Sequence, residues 1–244
     1  MNFVSLEGRI ADQRRLGRAV LIQCLPKMGS SALSQSLSGS CHEFEMESCL
    51  DLLDRWGERD FSLRRRSWLQ DRVLRLHGQI DVCTSLILVT GDCSDDDLLD
   101  QGVTRFYLNR SFRPWLRSIV NWSFQFSAHP TRQRWVRAYR HFVQRTEPDL
   151  FVAMPRRLSS IRDFARFWTP VWLCAQALNA GRDVLLSDKT KLPSSANVST
   201  FPDGYAERFN RAVPVFQPSS FSAEQHDVSI AQVRGWLAEA CAPP

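Results

Sequence analysis

Two short stretches of this chain have the residue types and spacing that bind phosphate groups. In the first, the apolar run Ala19–Leu25 ends abruptly, and Lys27, Gly29, Ser30 and Ser31 follow. Apolar residues then recur at helical spacing, so the pattern predicts a buried strand, a tight loop and the beginning of a helix. An ordinary strand, turn and helix with a surface lysine is the competing interpretation.

The chemistry of this loop favours an anion. The first turn of a helix presents N–H groups and the positive end of its dipole, which together attract phosphate. Lys27 adds a full positive charge, and the two serines add hydroxyl donors. We call this segment, residues 27–32, the cradle. Its expected phosphate-binding residues are Lys27, Met28, Gly29, Ser30, Ser31 and Ala32.

The second stretch is Val103–Phe124, which reads as a strand, a short turn and a helix. Arg110 ends the strand, and Ser118 lies eight residues later on the helix. The planar guanidinium of arginine suits phosphate because it donates paired, charge-assisted hydrogen bonds. Arg110 and Ser118 are therefore candidates for a second phosphate.

The cradle differs from the common Walker A loop. That loop places its lysine after the second glycine, as G-x-x-x-x-G-K-[ST]. Here Lys27 precedes Gly29, and no glycine stands at the required distance upstream of a Gly-Lys pair. An ordinary nucleoside triphosphate site is therefore disfavoured.

Strands alternating with helices predict an α/β fold with a parallel sheet. We expect strands at Ala19–Leu25, 41–47, 84–90, Thr104–Leu108 and Asp183–Leu186. Ligands in such sheets bind beyond the carboxyl ends of the strands. Because Lys27 and Arg110 each follow a strand end, we expect them to face one crevice.

The remainder of the chain is predicted to be mainly helical, and residues 1–244 are predicted to form a single domain. Helical apolar spacing recurs in Ser48–Trp56, in Phe61–His77 and from Arg113 to Gly181, where aromatic stripes indicate a packed core. The stretch Lys191–Gly204 is rich in Pro, Ser and Thr and is predicted to be a loop. A strand at Ala212–Phe216 and a helix at Ala223–Ala240 are expected near the end.

Composition limits the function classes. The chain has 244 residues, 43% of them hydrophobic, and a formal net charge of +5, which fits an anionic ligand. No nucleic-acid-binding motif is present. Seven cysteines without a C-x-x-C pair argue against a disulfide framework and against a metal site. We find no signal peptide or membrane span and expect a cytoplasmic protein.

The pattern P-K-x-G-S-S-x-L, together with Arg110 and Ser118, resembles sulfotransferases that use 3′-phosphoadenosine 5′-phosphosulfate (PAPS). The resemblance covers Arg18–Ser40 and Leu86–Phe124. It implies a three-layer, P-loop-like fold with a central parallel sheet of four to five strands, flanked by helices, and a helix-rich C-terminal half. It also implies transfer of a sulfuryl group from PAPS to a hydroxyl or amine, without a metal.

The resemblance assigns a role to each motif residue. Lys27 would contact the bridging oxygen and the 5′-phosphate, and the cradle N–H groups and hydroxyls would hold the 5′-phosphate. Arg110 and Ser118 would hold the 3′-phosphate. Lys189 and Lys191 are further candidates for an anion contact.

The general base is the open position. Family members that act on small molecules use a histidine at the end of the strand before the arginine strand, and this chain has none in SLILVTGD. Carbohydrate- and protein-directed members use a glutamate just after the second strand. Glu47 is the first candidate here and Glu45 the second, with Glu43 and Asp92 as further acids. His42 alternates to the other face and is expected to be a packed or surface histidine.

Two other functions stay open. A P-loop-like kinase of a small molecule would need ATP and Mg²⁺, and a non-catalytic protein could bind PAPS or its product, 3′-phosphoadenosine 5′-phosphate (PAP), without a base. The expected acceptor is a carbohydrate or a small metabolite, and the oligomeric state is not determined by the sequence.

Overall fold

A computed structural model describes residues 1–43, 67–76, 79–83, 86–91, 93–125, 131–190 and 228–242. The chain divides into two compact units. The first comprises Met1–Arg110 and Gly181–Val198, and the second comprises Ser111–Ala180 and Ser199–Pro244. The single-domain prediction stays a prediction.

The first unit contains a five-stranded sheet in which every pair of neighbouring strands is parallel. Its strands are β1 (Ala19–Gln23), β2 (Ser40–Glu43), β3 (Ile80–Cys83), β4 (Val103–Asn109) and β5 (Val184–Leu186). They are ordered β2-β3-β1-β4-β5. The predicted α/β fold with a parallel sheet of four to five strands is confirmed.

Helices cover both faces of this sheet. On one face, α1 (Phe3–Arg15) contacts β4, where the Arg9 guanidinium lies 5.2 Å from the centre of the Phe106 ring. On the other face, α3 (67–76) and α5 (Asp95–Leu99) pack Leu69, Leu76 and Leu98 against Ala19 and Leu21 of β1. Burial on both faces explains why β1 is uniformly apolar up to Gln23.

One predicted strand is wrong. Residues 84–90 were expected to form a strand, but Leu86–Thr90 is a short helix, α4, and the strand is Ile80–Cys83 just before it. Ile87, Leu88, Val89 and Thr90 are all buried, so the helix has no polar face to reveal its period.

The true strand was hidden by Asp81, which interrupts its apolar pattern. The Arg72 guanidinium on α3 lies 2.6 Å from the Asp81 carboxylate, and both side chains are buried. β3 fills the position between β1 and β2, with Val20 opposite Ile80 and Ile80 opposite Ser40. This ion pair makes a charged residue tolerable in a central strand.

The other described elements of the first unit agree with the sequence. β1, β4 and β5 lie within or next to their predicted ranges, and β2 begins at Ser40. α2 (Ser30–Ser36) follows the cradle, and residues 67–76 confirm that part of the helix expected at Phe61–His77.

The second unit is helical throughout its described elements. These are α6 (Phe112–Gln125), α7 (Thr131–Thr146), α8 (Pro148–Val152), α9 (Ile161–Asn179) and α10 (Ile230–Cys241). The aromatic stripes form its core as predicted: Trp168 makes edge-on ring contacts with Trp115 at 6.2 Å and with Tyr139 at 4.9 Å between centroids. Within the described residues, no helix is long and apolar enough to cross a membrane.

Several expectations lie outside the described residues. They are the helix at Ser48–Trp56, the loop at Lys191–Gly204, including Lys191 itself, and the strand at Ala212–Phe216. The end of the strand at 41–47 and the beginning of the helix at Ala223–Ala240 also lie there.

Candidate functional site

The cradle leaves β1 through a tight turn with two left-handed residues. Lys27 has φ 67°, and it is the one residue other than glycine with positive φ in the part of the chain that the structure describes. Gly29 has φ 91° and precedes the first residue of α2. A left-handed lysine costs about 1 kcal/mol or more, so this conformation is imposed by its surroundings.

A side chain at position 29 would be crowded by a neighbouring residue, in addition to being strained by the positive φ. A Cβ atom at this position would lie 3.1 Å from Cβ and 3.3 Å from Oγ of Ser187, which follows β5. Ser187 is itself fixed because its N–H donates to the Asn109 carbonyl at 2.9 Å. The cradle and the turn after β5 therefore lie against each other.

The cradle continues on both sides of Gly29. Met28 precedes Gly29, and Ser30, Ser31 and Ala32 belong to the first turn of α2. Met28 and Ser30 are buried, and Ser31 and Ala32 are half-buried. The first-turn N–H groups of a helix have no intrahelical acceptor. Their position at the carboxyl edge of β1 suits an anion.

Arg110 and Lys27 come together at this edge. Arg110 follows β4, and its guanidinium Nη1 donates to the Lys27 carbonyl at 3.3 Å. The Asn109 side chain accepts from the Arg110 N–H at 2.9 Å and fixes the start of this turn. Lys27 and Arg110 are therefore neighbours, as expected, and the prediction that they face one crevice stays a prediction.

Both cations have lowered pKa values. Burial lowers the pKa of Lys27, and the positive charge of Arg110 lowers it further. Burial also lowers the pKa of Arg110, while the Asp188 carboxylate partly opposes this shift. Two half-buried cations that repel each other would be stabilised by an anion.

The topology of the sheet explains this location. From β1 the chain moves to β2 on one side, and from β4 it moves to β5 on the other. Adjacent strands whose connections run in opposite directions leave a crevice beyond their carboxyl ends. Lys27 and Arg110 follow these two strands.

The other predicted site residues have different outcomes. Ser118 is half-buried on α6, in the second unit, and its pairing with Arg110 stays a prediction. Glu43 is the last residue of β2, and Glu45, Glu47 and Asp92 lie outside the described residues. Lys189 lies in the turn after β5 and is exposed.

The bounds of β3 also change where a histidine base would be expected from the resemblance to sulfotransferases. The strand before the arginine strand ends at Cys83, not at Thr90. Thr84 and Ser85 come next in the sequence, so histidine is still missing from this position. The acids after β2 therefore remain the candidates for a base.

Sequence reasoning missed two residues beside the cradle. Ser187 contacts Gly29, and His42 Nε2 lies 2.8 Å from the Ser30 hydroxyl oxygen. Burial lowers the pKa of His42, so its imidazole is neutral at pH 7. The position of Ser187 directly after β5 indicates that it lies at the same edge of the sheet as the cradle. Nothing in the sequence pairs His42 with Ser30.

Comparison of the chain with models of protein families, with curated proteins and with solved structures found no match. Within the described residues, no group of three or more His, Cys, Asp or Glu side chains could hold a metal ion.

Proposed function

We propose that this protein is a PAPS-dependent sulfotransferase. The observation that carries the proposal is the contact between Arg110 and the Lys27 carbonyl at the edge of β1 and β4. It brings together, at one edge of the sheet, the two stretches of the sequence that are predicted to bind phosphate. A ligand with phosphates at both ends of an adenosine suits this arrangement better than a nucleotide with a single phosphate group.

The cradle and Arg110 would divide the ligand between them. The N–H groups of residues 28–32 and the hydroxyls of Ser30 and Ser31 would hold the 5′-phosphate. Arg110 would hold the 3′-phosphate, and the assignment of Ser118 to the same phosphate stays a prediction from the sequence. Desolvated, mutually repelling cations support the roles of Lys27 and Arg110 because a bound anion offsets both costs.

The proposed reaction is an in-line displacement at sulfur. A bond forms between the acceptor oxygen and sulfur while the bond from sulfur to the 5′-phosphate oxygen breaks, and PAP leaves. The Lys27 ammonium offsets the negative charge that develops on that oxygen. An acid after β2, Glu47 or else Glu45, would take the acceptor proton.

Ligand selectivity tests the first half of this proposal. We expect calorimetric titration to show that PAP binds more tightly than adenosine 5′-phosphate (AMP) or ATP with Mg²⁺. Arg110→Ala should reduce PAP affinity about tenfold or more and leave AMP affinity nearly unchanged, because AMP has no 3′-phosphate. Arg113→Ala, which removes a nearby arginine in the first turn of α6, is the matched control. Preference for ATP would instead support a kinase.

Transfer of labelled sulfate from PAPS tests the second half. Lys27→Ala should lower kcat by about a hundredfold or more, because it removes charge stabilisation from the leaving group. Glu47→Gln and Glu45→Gln distinguish the two candidate bases. PAP binding without transfer to any hydroxyl or amine acceptor would support the non-catalytic alternative.

The acceptor and the location belong to the same proposal. A carbohydrate or small-metabolite acceptor is proposed from the glutamates after β2, and a panel of such acceptors tests it. A cytoplasmic location is proposed from Cys24, Cys93 and Cys174, which are buried as reduced thiols. Cell fractionation tests it.

A further inference from the structure

A histidine outside the phosphate-binding motif contacts a cradle hydroxyl. His42 lies on β2, and its Nε2 is 2.8 Å from Oγ of Ser30, the first residue of α2. Ser30 is 5% exposed, so its hydroxyl has little access to solvent. Its hydrogen-bonding partners are therefore determined mainly by the protein and by a bound ligand.

The Ser30 hydroxyl has a second protein neighbour. It also hydrogen-bonds with the Cys24 thiol, whose pKa burial raises to about 12. The hydrogen bond with Ser30 opposes that shift, as it does when the hydroxyl donates to the sulfur. A hydroxyl has one proton to donate and two lone pairs that accept. A phosphate oxygen is a much better acceptor than sulfur, so the Ser30 proton can go to a bound anion as long as His42 does not accept it.

We propose that His42 is a positioning residue of the cradle: its Nε2–H donates to Ser30 and leaves the Ser30 proton for the 5′-phosphate of the ligand. This inference rests on the proposed function, since it needs an anion in the cradle. In the opposite tautomer, Nε2 would accept the Ser30 proton, and the hydroxyl could no longer donate to phosphate.

The fold holds both partners in place. β2 pairs with β3 so that His42 lies opposite Val82, and the Ser34 and Ser40 hydroxyls lie 3.0 Å apart, joining α2 to β2. α2 and β2 are thus joined at two places, between Ser34 and Ser40 and between Ser30 and His42. Such support keeps a binding hydroxyl oriented before the ligand arrives.

Calorimetric titration of the full chain with PAP and AMP tests this role. We expect His42→Phe and Ser30→Ala each to weaken PAP binding about tenfold, the loss typical of one hydrogen bond to a charged group. His42→Gln, whose amide can donate to Ser30, should stay within about threefold of wild type. Cys41→Ala, an exposed neighbour on β2, is the matched control.

The double variant separates positioning from general support of the fold. His42→Phe should have no further effect when Ser30 is already alanine, because the histidine acts only through that hydroxyl. Equal weakening by His42→Phe in both backgrounds would overturn the proposal. If His42→Phe does not fold, Ser30→Ala decides: PAP affinity equal to wild type would mean that Ser30 donates nothing.

The two proposals fail in different ways. Equal affinity of the wild type for PAP and AMP would contradict the 3′-phosphate assignment, but the test of His42 would still hold because both ligands carry a 5′-phosphate. If the wild type binds neither ligand, the cradle is not an anion site and both proposals are overturned.

Discussion

Lys27 combines two unfavourable features at one residue. Its backbone is left-handed, and its ammonium is desolvated beside the Arg110 guanidinium. A protein retains such strain where the surrounding structure compensates for it, and such positions concentrate at functional sites. Both features cost stability in the unliganded protein, which is what the ligand-binding role proposed for Lys27 would explain.

The first prediction concerns the pH dependence of binding. Because phosphate binds the ammonium form, PAP affinity should fall as pH rises through the Lys27 pKa, which lies below the usual 10.5. A lowered pKa means that the ammonium is lost at a lower pH than usual, so binding on the alkaline side takes up protons. Calorimetry from neutral pH up to 10.5, in buffers of different ionisation enthalpy, measures this uptake.

Lys27→Met supplies the control for that measurement. It should bind PAP weakly and without proton uptake over the same range. An affinity of the wild type that stays constant up to pH 10.5, the usual pKa of a lysine, would show that the lysine does not bind the phosphate.

At the scale of the elements, the site depends on turns that follow three neighbouring strands. The cradle follows β1, Arg110 follows β4, and Ser187 follows β5. The parallel order of these strands brings their carboxyl ends to one edge, so residues far apart in sequence come into contact. Packing between these turns maintains the shape of the crevice.

Substitution of Gly29 tests this packing. Gly29→Ala should lower the free energy of unfolding by about 2 kcal/mol, from its positive φ and from the collision with Ser187. Gly102→Ala, with φ 75° but open space around it, should cost about 1 kcal/mol. Urea denaturation measures both.

Ser187→Gly provides the matching rescue. It removes the atoms that the new Cβ would meet, so the Gly29→Ala, Ser187→Gly pair should recover the difference between the two alanine variants. If it recovers nothing, the close approach of the two turns is wrong.

The position of β3 gives a second prediction at this scale. Arg72→Met should reduce the free energy of unfolding by about 3–5 kcal/mol, because it leaves the buried Asp81 carboxylate without its guanidinium. Adding Asp81→Leu should restore most of this loss. Arg75→Met, at an exposed position of α3, is the control. The denaturant midpoints of the wild type, the two single variants and the double variant distinguish a buried ion pair from a surface ion pair.

At the scale of the whole molecule, the net charge of +5 is divided unevenly. The first unit has 17 basic and 18 acidic residues, and the second has 14 arginines against 8 acidic residues. The first unit is therefore close to neutral. The two cations of the proposed site, Lys27 and Arg110, therefore do not belong to a generally basic unit.

Ligand binding should raise the thermal stability of the protein. At a concentration of one hundred times Kd, PAP stabilises by about 2.7 kcal/mol, which corresponds to an increase in Tm of about 5–10 °C for a chain of this size. Differential scanning calorimetry measures it, and AMP at the same concentration should give a smaller shift. If the units unfold in separate transitions, the transition of the first unit should move.

Local rules were enough to predict the cradle and most of the sheet. A buried strand followed by Lys27, Gly29 and two serines specifies a turn and a helix start through steric and hydrogen-bonding preferences of neighbouring residues. The same rules failed at Leu86–Thr90, because complete burial gives a short helix and a strand the same apolar pattern.

The sequence by itself therefore determined the type of fold and the candidate residues of the proposed phosphate site, since both depend on local spacing. Only the tertiary structure decided which residues are neighbours: Arg72 with Asp81, Gly29 with Ser187, and His42 with Ser30. Hydrophobic periodicity specifies which side chains are buried, but not what they meet. Those partners follow from strand order and register, which bring together residues that no local pattern connects.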